Sequence, residues 1–123
     1  MKTILLIENE TILAKMYQEK FSQAGFRVIW KLEAKEGLSV MEKEKIDLVI
    51  LDILLSREDG IFFLEKLTKD PKMINVSSTP VIVFSNYDDL ITRKKALELG
   101  VKDYLIKTNY TPKQIIDTIK KYI

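Results

Sequence analysis

The chain has 123 residues, 46% of them hydrophobic and 31% charged, with 20 basic and 18 acidic side chains and a net charge of +2. That is the size of one ordinary domain, with enough apolar material for a continuous core and no charge imbalance that would demand nucleic acid or an anionic membrane as a partner. There is no cysteine and no histidine, which excludes disulfides, thiol nucleophiles, Ser-His pairs and imidazole or thiolate metal sites; chemistry must run on carboxylates, lysine, hydroxyls and an added metal.

The chain opens MKTILLIENE. Its short apolar run, Ile4–Ile7, is too brief for the hydrophobic part of a signal peptide, and no stretch approaches the length of a membrane span, so a cytoplasmic location is the default expectation. The same run has strand character. Residues 11–24 then show helical spacing, with Leu13, Met16, Tyr17, Phe21 and Ala24 on one stripe and Gly25 as the stop. A second strand is expected at Val28–Trp30 and a second helix over residues 34–44. The third strand, Ile46–Leu51, runs into Asp52. Gly60 opens a third helix that ends near Lys69, because Asp70-Pro71 cannot continue it. The stretch from Pro71 to Pro80 reads as a surface loop. A fourth strand at Val81–Phe84 precedes a helix over 87–99 closed by Gly100. The fifth strand is Tyr104–Ile106. The last helix starts at Thr111-Pro112, a cap followed by proline in the first turn, and its apolar stripe is Ile115, Ile116, Ile119 and Ile123.

The apolar runs are nearly continuous rather than alternating, as in parallel strands buried on both faces. Five strands alternating with five helices predict an α/β fold, a doubly wound parallel sheet in a single domain over residues 1–123. In such sheets ligands bind beyond the carboxyl ends of the strands. Glu8, Asn9 and Glu10 follow the first strand, Asp52 ends the third, Ser85 follows the fourth and Lys107 the fifth. Lys107 is expected at a solvent-reached edge. Trp30, on the second strand, is not required to face this edge, so its fluorescence is expected to stay silent to ligands there.

Each of these residue types has a part in phosphoryl transfer. An ionised Asp can attack phosphorus and form an acyl phosphate. Acceptance of so anionic a group needs counter-charge, which Mg²⁺ on a few carboxylate oxygens would supply. A lysine adds a point charge and a hydroxyl adds a hydrogen bond. Such catalysis is mostly positioning and electrostatics, so histidine is dispensable.

At these residues the sequence resembles the receiver domains of two-component response regulators over essentially its whole length. The stretches LLIENE, DLVILDILLSREDG, PVIVFS and DYLIK stand in that family's order and near its spacing. The resemblance implies a flavodoxin-like (βα)5 fold with strand order 2-1-3-4-5, of which the chemotaxis member is a standard example. It implies that Asp52 is the phosphoacceptor and that Glu8 is the first of the acidic pair. Mg²⁺ would sit on Glu8, Asn9, Asp52 and the backbone carbonyl of Leu54. Ser85 and Lys107 take the places of the family's hydroxyl residue and lysine, and Tyr104 that of the aromatic residue whose rotamer reports activation. The implied donor is a histidine kinase or a histidine phosphotransfer protein. The implied output surface is the fourth helix, fifth strand and fifth helix, about residues 87–122, meeting a protein effector or a second copy as a homodimer. Beyond its own phosphorylation and dephosphorylation such a domain is not an enzyme.

Three positions depart from the family pattern. Asn9 stands where a second acid is usual, and an amide brings no charge, so Mg²⁺ binding is expected to be weak. Glu10 is expected to point elsewhere. Ser56 stands where proline is common four residues after the phosphoacceptor. Thr108 replaces the proline after Lys107, and a trans bond is expected because a non-proline cis bond costs about 2.5–4 kcal/mol.

The bland readings are a turn cap for Asp52, an ordinary strand end for Ser85, a solvated charge for Lys107, a half-buried sheet residue for Tyr104 and a first-turn acid for Glu10. Asp59-Gly60 reads as turn chemistry without a site role. Asn9 gives some support to an alternative, a pseudo-receiver that binds a partner without being phosphorylated. An Mg²⁺-dependent hydrolase with an Asp nucleophile would carry a second Asp two residues on, where Leu54 stands and can donate no proton. Basic residues gather near the C-terminus (Lys107, Lys113, Lys120, Lys121) without interleaved aromatics, so direct nucleic-acid binding is not expected.

Overall fold

The computed structural model describes residues 1–55, 57 and 59–123; the expectation at Ser56 lies outside the described residues. Five strands, β1 (Thr3–Ile7), β2 (Arg27–Lys31), β3 (Leu48–Leu51), β4 (Val81–Ser85) and β5 (Asp103–Ile106), alternate with five helices. The helices are α1 (Thr11–Gln23), α2 (Ala34–Lys43), α3 (Gly60–Lys69), α4 (Leu90–Glu98) and α5 (Pro112–Tyr122). All strand pairings are parallel, and the order across the sheet is β2-β1-β3-β4-β5.

The continuous apolar runs have the expected cause. Leu5, Ile7, Val49, Leu51, Val81 and Val83 face one core, which α2 and α3 cover. The intervening Ile4, Leu6, Leu48, Ile50, Ile82 and Phe84 face a second core with α1 and α5. Because successive strand side chains alternate faces, both sets must be apolar when both faces are covered.

The differences from the sequence reading lie at element ends. β3 begins at Leu48 rather than Ile46, because Asp47 leaves the ladder: its carboxylate accepts the Thr3 N–H at 2.8 Å while its own N–H goes to the Thr3 carbonyl. α4 begins at Leu90 rather than 87, where the Asp89 carboxylate caps it by accepting the Thr92 N–H at 2.9 Å. This leaves Asn86–Asp88 as a loop beside the strand ends. The buried positions of α1 are Ala14, Tyr17 and Phe21, with Leu13 and Met16 only half-buried beside them. On α5, Ile115 and Ile119 are buried together with Thr118, while Ile116 and Ile123 pack at the margin. The loop after Asp70 contains a short 3-10 turn, Pro71–Met73, that buries Met73. Gly25 and Gly100 close α1 and α4 with φ of +98° and +94°, which only glycine takes without strain. Thr111 caps α5 as expected, in a reciprocal pair with Gln114.

Candidate functional site

The parallel order brings the carboxyl ends of β1, β3 and β5 to one edge, and three side chains meet there. Lys107 Nζ lies 2.5 Å from Glu8 Oε1 and 2.8 Å from Asp52 Oδ2. Glu8 is 1% exposed, Asp52 5% and Lys107 7%. Lys107 is therefore not the solvent-reached side chain expected from the sequence. Two buried carboxylates draw its ammonium inward, and its stem packs as the chain turns from β5 into a 3-10 turn, Lys107–Asn109.

The electrostatics follow from this packing. Burial pushes the Glu8 carboxyl up from its ordinary range; the Lys107 bond offsets part of that, and neighbouring Asp52 adds to it. For Lys107 burial works downward, but its bonds to Asp52 and Glu8 outweigh it and hold the ammonium above its ordinary range. Two carboxyl groups share one ammonium, so with both ionised the cluster carries an excess negative charge.

Asp52 is held in place by main-chain contacts as well. The Leu54 N–H donates to its Oδ1 at 3.1 Å, and its own N–H pairs with the Ile7 carbonyl. Gly60 lies against its backbone, where an added Cβ would come within 2.7 Å of the Asp52 carbonyl oxygen. Sequence reasoning assigned Asp59-Gly60 to turn chemistry alone. Asp59 does cap α3, accepting the Phe62 N–H, but Gly60 also permits the close approach that seats Asp52.

The remaining expected residues are placed less tightly. Ser85 is fully buried at the end of β4, and its Oγ accepts the Tyr87 N–H at 3.1 Å. Among the described residues no hydrogen bond joins it to Asp52 or Lys107. Asn9 is half-buried and the Leu54 side chain is exposed. Glu10 is mostly exposed, yet its carboxylate stands 3.7 Å from Lys107 Nζ. It therefore leans toward the site, contrary to the expectation that it points elsewhere. No group of three or more acidic side chains that could hold a metal forms among the described residues. Tyr104 is buried rather than merely half-buried, and its hydroxyl donates to the Tyr87 carbonyl at 2.5 Å. The Lys107–Thr108 bond is trans, as expected.

Two contacts were not foreseen. The Asn86 side-chain oxygen accepts the Thr108 N–H at 3.1 Å, tying the β4–α4 loop to the turn after β5. Trp30 Nε1–H donates to the Glu8 carbonyl at 2.8 Å, so Trp30 does reach this edge. An indole on an edge strand gives no sequence signal for such a contact.

A buried cluster of one lysine and two carboxylates stands at the strand ends of a 2-1-3-4-5 sheet, and the response regulator receiver domain family matches residues 4–120. The chain belongs to the response-regulator receiver family. It is 36% identical over 104 residues to the transcriptional activator protein IrlR of Burkholderia pseudomallei, covering 85% of this chain and 43% of that protein. It is 29% identical over 119 residues to the alkaline phosphatase synthesis transcriptional regulatory protein PhoP of Bacillus subtilis, covering 97% of this chain and 47% of that one. The chain thus spans just under half the length of these curated relatives. Among solved structures it superposes on a CheY-like receiver domain protein from Methanospirillum hungatei JF-1 with a TM-score of 0.89 at 25% identity, covering 98% of this chain and 92% of the other. The fold also matches the chemotaxis protein CheY4 of Vibrio cholerae, with a TM-score of 0.88 at 17% identity over 100% and 99% of the two chains.

Receiver domains are signalling modules of two-component systems and bind Mg²⁺ at their phosphorylation site. The hard carboxylate oxygen donors of Glu8 and Asp52, brought together at the strand ends, fit such a cation. No helix among the described residues is long and apolar enough to cross a membrane.

Proposed function

We propose that this receiver accepts a phosphoryl group on Asp52 from a phosphohistidine of a sensor kinase or phosphotransfer protein. The observation that carries this reading is the burial of Asp52 against Lys107 and Glu8 at the strand ends. In the transfer, an Asp52 carboxylate oxygen forms a bond to phosphorus, the P–N bond breaks, and the imidazole nitrogen takes a proton. Lys107, whose ammonium lies 2.8 Å from the Asp52 carboxylate, would bond a phosphoryl oxygen. Glu8, Asp52, the Asn9 amide oxygen and the Leu54 carbonyl would hold Mg²⁺, whose charge would offset that of the transferring group. Incubation with acetyl phosphate and Mg²⁺ is expected to add one hydroxylamine-labile phosphoryl group. Failure to add it would leave the second reading, a phosphorylation-independent interaction module, which Asn9 favours.

Mg²⁺ binding is weak on this reading, and Asn9→Asp is expected to strengthen it. A unit charge pair about 4 Å apart interacts by roughly 4 kcal/mol at an effective dielectric of about 20, and a divalent ion doubles that gross attraction. Dehydration of the ion and of the new carboxylate offsets most of it. A net gain of about 1.4–2.8 kcal/mol remains, about tenfold to a hundredfold in affinity by calorimetry. Equal affinity would show that Asn9 does not ligate the metal or that Glu10 already fills its place.

The response would run from Ser85 and Lys107 to α4, β5 and α5. Leu90, Ile91 and Leu97 of α4 are exposed and apolar, a surface suited to a protein effector or a second copy rather than to nucleic acid. Tyr104 is turned inward, tied to Tyr87, with Arg93 over its ring. Burial, with Asp88 adding to it, pushes its hydroxyl pKa up to about 12 from 10.0. The folded protein therefore keeps a proton that the unfolded chain loses first, and stability falls as pH rises between those two values. Tyr104→Phe is expected to flatten that alkaline decline in urea unfolding measured between pH 9 and 12. An unchanged slope would place the titrating group elsewhere.

A further inference from the structure

Glu8 is anchored by two side chains that act on different parts of it. Lys107 holds its carboxylate, and Trp30 holds its carbonyl. The ladder explains why the second anchor matters. Leu6 pairs with Trp30 and Ile7 with Lys31, the last residue of β2. The Glu8 N–H still reaches the Lys31 carbonyl at 3.0 Å, but no residue of β2 remains to donate to the Glu8 carbonyl. The indole N–H of Trp30 donates to it instead. The ring itself is partly buried against the core on the α1 and α5 face of the sheet, which limits the directions its donor can take.

We propose that Trp30 is a positioning residue of the cation and phosphoryl site, fixing the peptide between Glu8 and Asn9. This rests on the assignment of Glu8, Asn9 and Asp52 as that site. The orientation of the 8–9 peptide sets where the Asn9 side chain leaves the backbone and how the Glu8 carboxylate enters the pocket. A cation competes with Lys107 for the carboxylates, so the Lys107 anchor changes on binding. The Trp30 anchor is on a neutral carbonyl and does not. It holds the turn in one geometry through the exchange, which spares the site the cost of reordering. Because Trp30 is the sole tryptophan of the chain, its indole proton can be followed without overlap from another tryptophan.

The test compares the intact chain with Trp30→Phe and with a variant carrying benzothienyl-alanine at position 30, which keeps the bicyclic shape and lacks the N–H. Calorimetric titration with MgCl₂ is expected to show affinity about threefold to tenfold weaker in both variants, the range set by one lost neutral hydrogen bond. In wild type the indole proton is expected to keep its hydrogen-bonded resonance throughout the titration. A packing role alone would lower the unfolding midpoint of Trp30→Phe and leave affinity in the folded isostere unchanged. Equal Mg²⁺ affinity in the isostere, or loss of the indole hydrogen bond at saturation, overturns the positioning role. Absence of Mg²⁺ binding in wild type would overturn the site assignment itself, and this role with it.

Discussion

Replacing Lys107 by alanine is expected to destabilise the protein by about 2–4 kcal/mol at neutral pH in the presence of chelator. The lysine is the shared cation of two buried carboxylates, and its removal leaves both charges facing each other without compensation. Breaking a buried pair from one side costs about 3–5 kcal/mol in general; the lower range applies here because Glu8 can relieve the repulsion by taking up a proton. Its carboxyl is already raised by burial and by Asp52, and loss of Lys107 raises it further. A carboxyl whose folded pKa exceeds its unfolded value gives stability that rises as pH falls. The deficit of Lys107→Ala should therefore shrink toward pH 5, and Mg²⁺ should shrink it at neutral pH by replacing the missing charge. Urea unfolding at two pH values, with EDTA or with Mg²⁺, measures all of this. A loss below about 1 kcal/mol in EDTA, the scale of an exposed ion pair, would mean that the three groups are solvated rather than buried together. The variant should also lose the chemical-shift response of residues 87–122 to a beryllofluoride phosphoryl mimic.

Asp52→Asn is expected to abolish phosphoryl acceptance while leaving the fold intact. The amide is nearly isosteric with the carboxylate but is not a nucleophile at phosphorus, so the loss should be complete rather than graded. Its single oxygen can serve the Leu54 N–H or Lys107 but not both, which costs one hydrogen bond, about 1 kcal/mol. Against that, Glu8 and Lys107 become a balanced pair, and the repulsion between the carboxylates disappears. Stability in chelator should consequently differ little from wild type, and Mg²⁺ affinity should fall by about tenfold or more, since one of two ligand charges is gone. A chemically inert but well-folded Asp52→Asn is the opposite profile to a folded-state-impaired Lys107→Ala. The two variants together separate the acceptor from the counter-charge.

The layout of the sheet was legible because both-faced burial leaves a strong mark: runs such as Leu48–Leu51 admit few structures other than a covered parallel strand. Glu8, Asp52 and Lys107 were legible for a related reason, since charged residues directly after such runs fall on the edge where the fold binds ligands. What could not be read was three-dimensional. The depth of Lys107 depends on two carboxylates supplied by β1 and β3, and its own neighbours Ile106 and Thr108 say nothing of them. The inward seat of Tyr104 depends on the Tyr87 carbonyl, which is free to accept because Asp89 starts α4 late. Gly60 looked like a turn residue because the backbone it nearly touches, that of Asp52, lies across a loop. The Trp30 contact depends on β2 ending one residue short of Glu8, a matter of register that periodicity does not fix.

The measurement that bears most directly on Asp52 is intact-mass analysis after treatment with acetyl phosphate, run on wild type and Asp52→Asn with Mg²⁺ and with EDTA. Wild type with Mg²⁺ is predicted to gain the mass of one phosphoryl group, lost again on hydroxylamine treatment, and the other three samples are predicted to gain none. Equal modification of Asp52→Asn and wild type, or full modification of wild type in EDTA, would contradict the assignment of Asp52 as a metal-assisted phosphoacceptor.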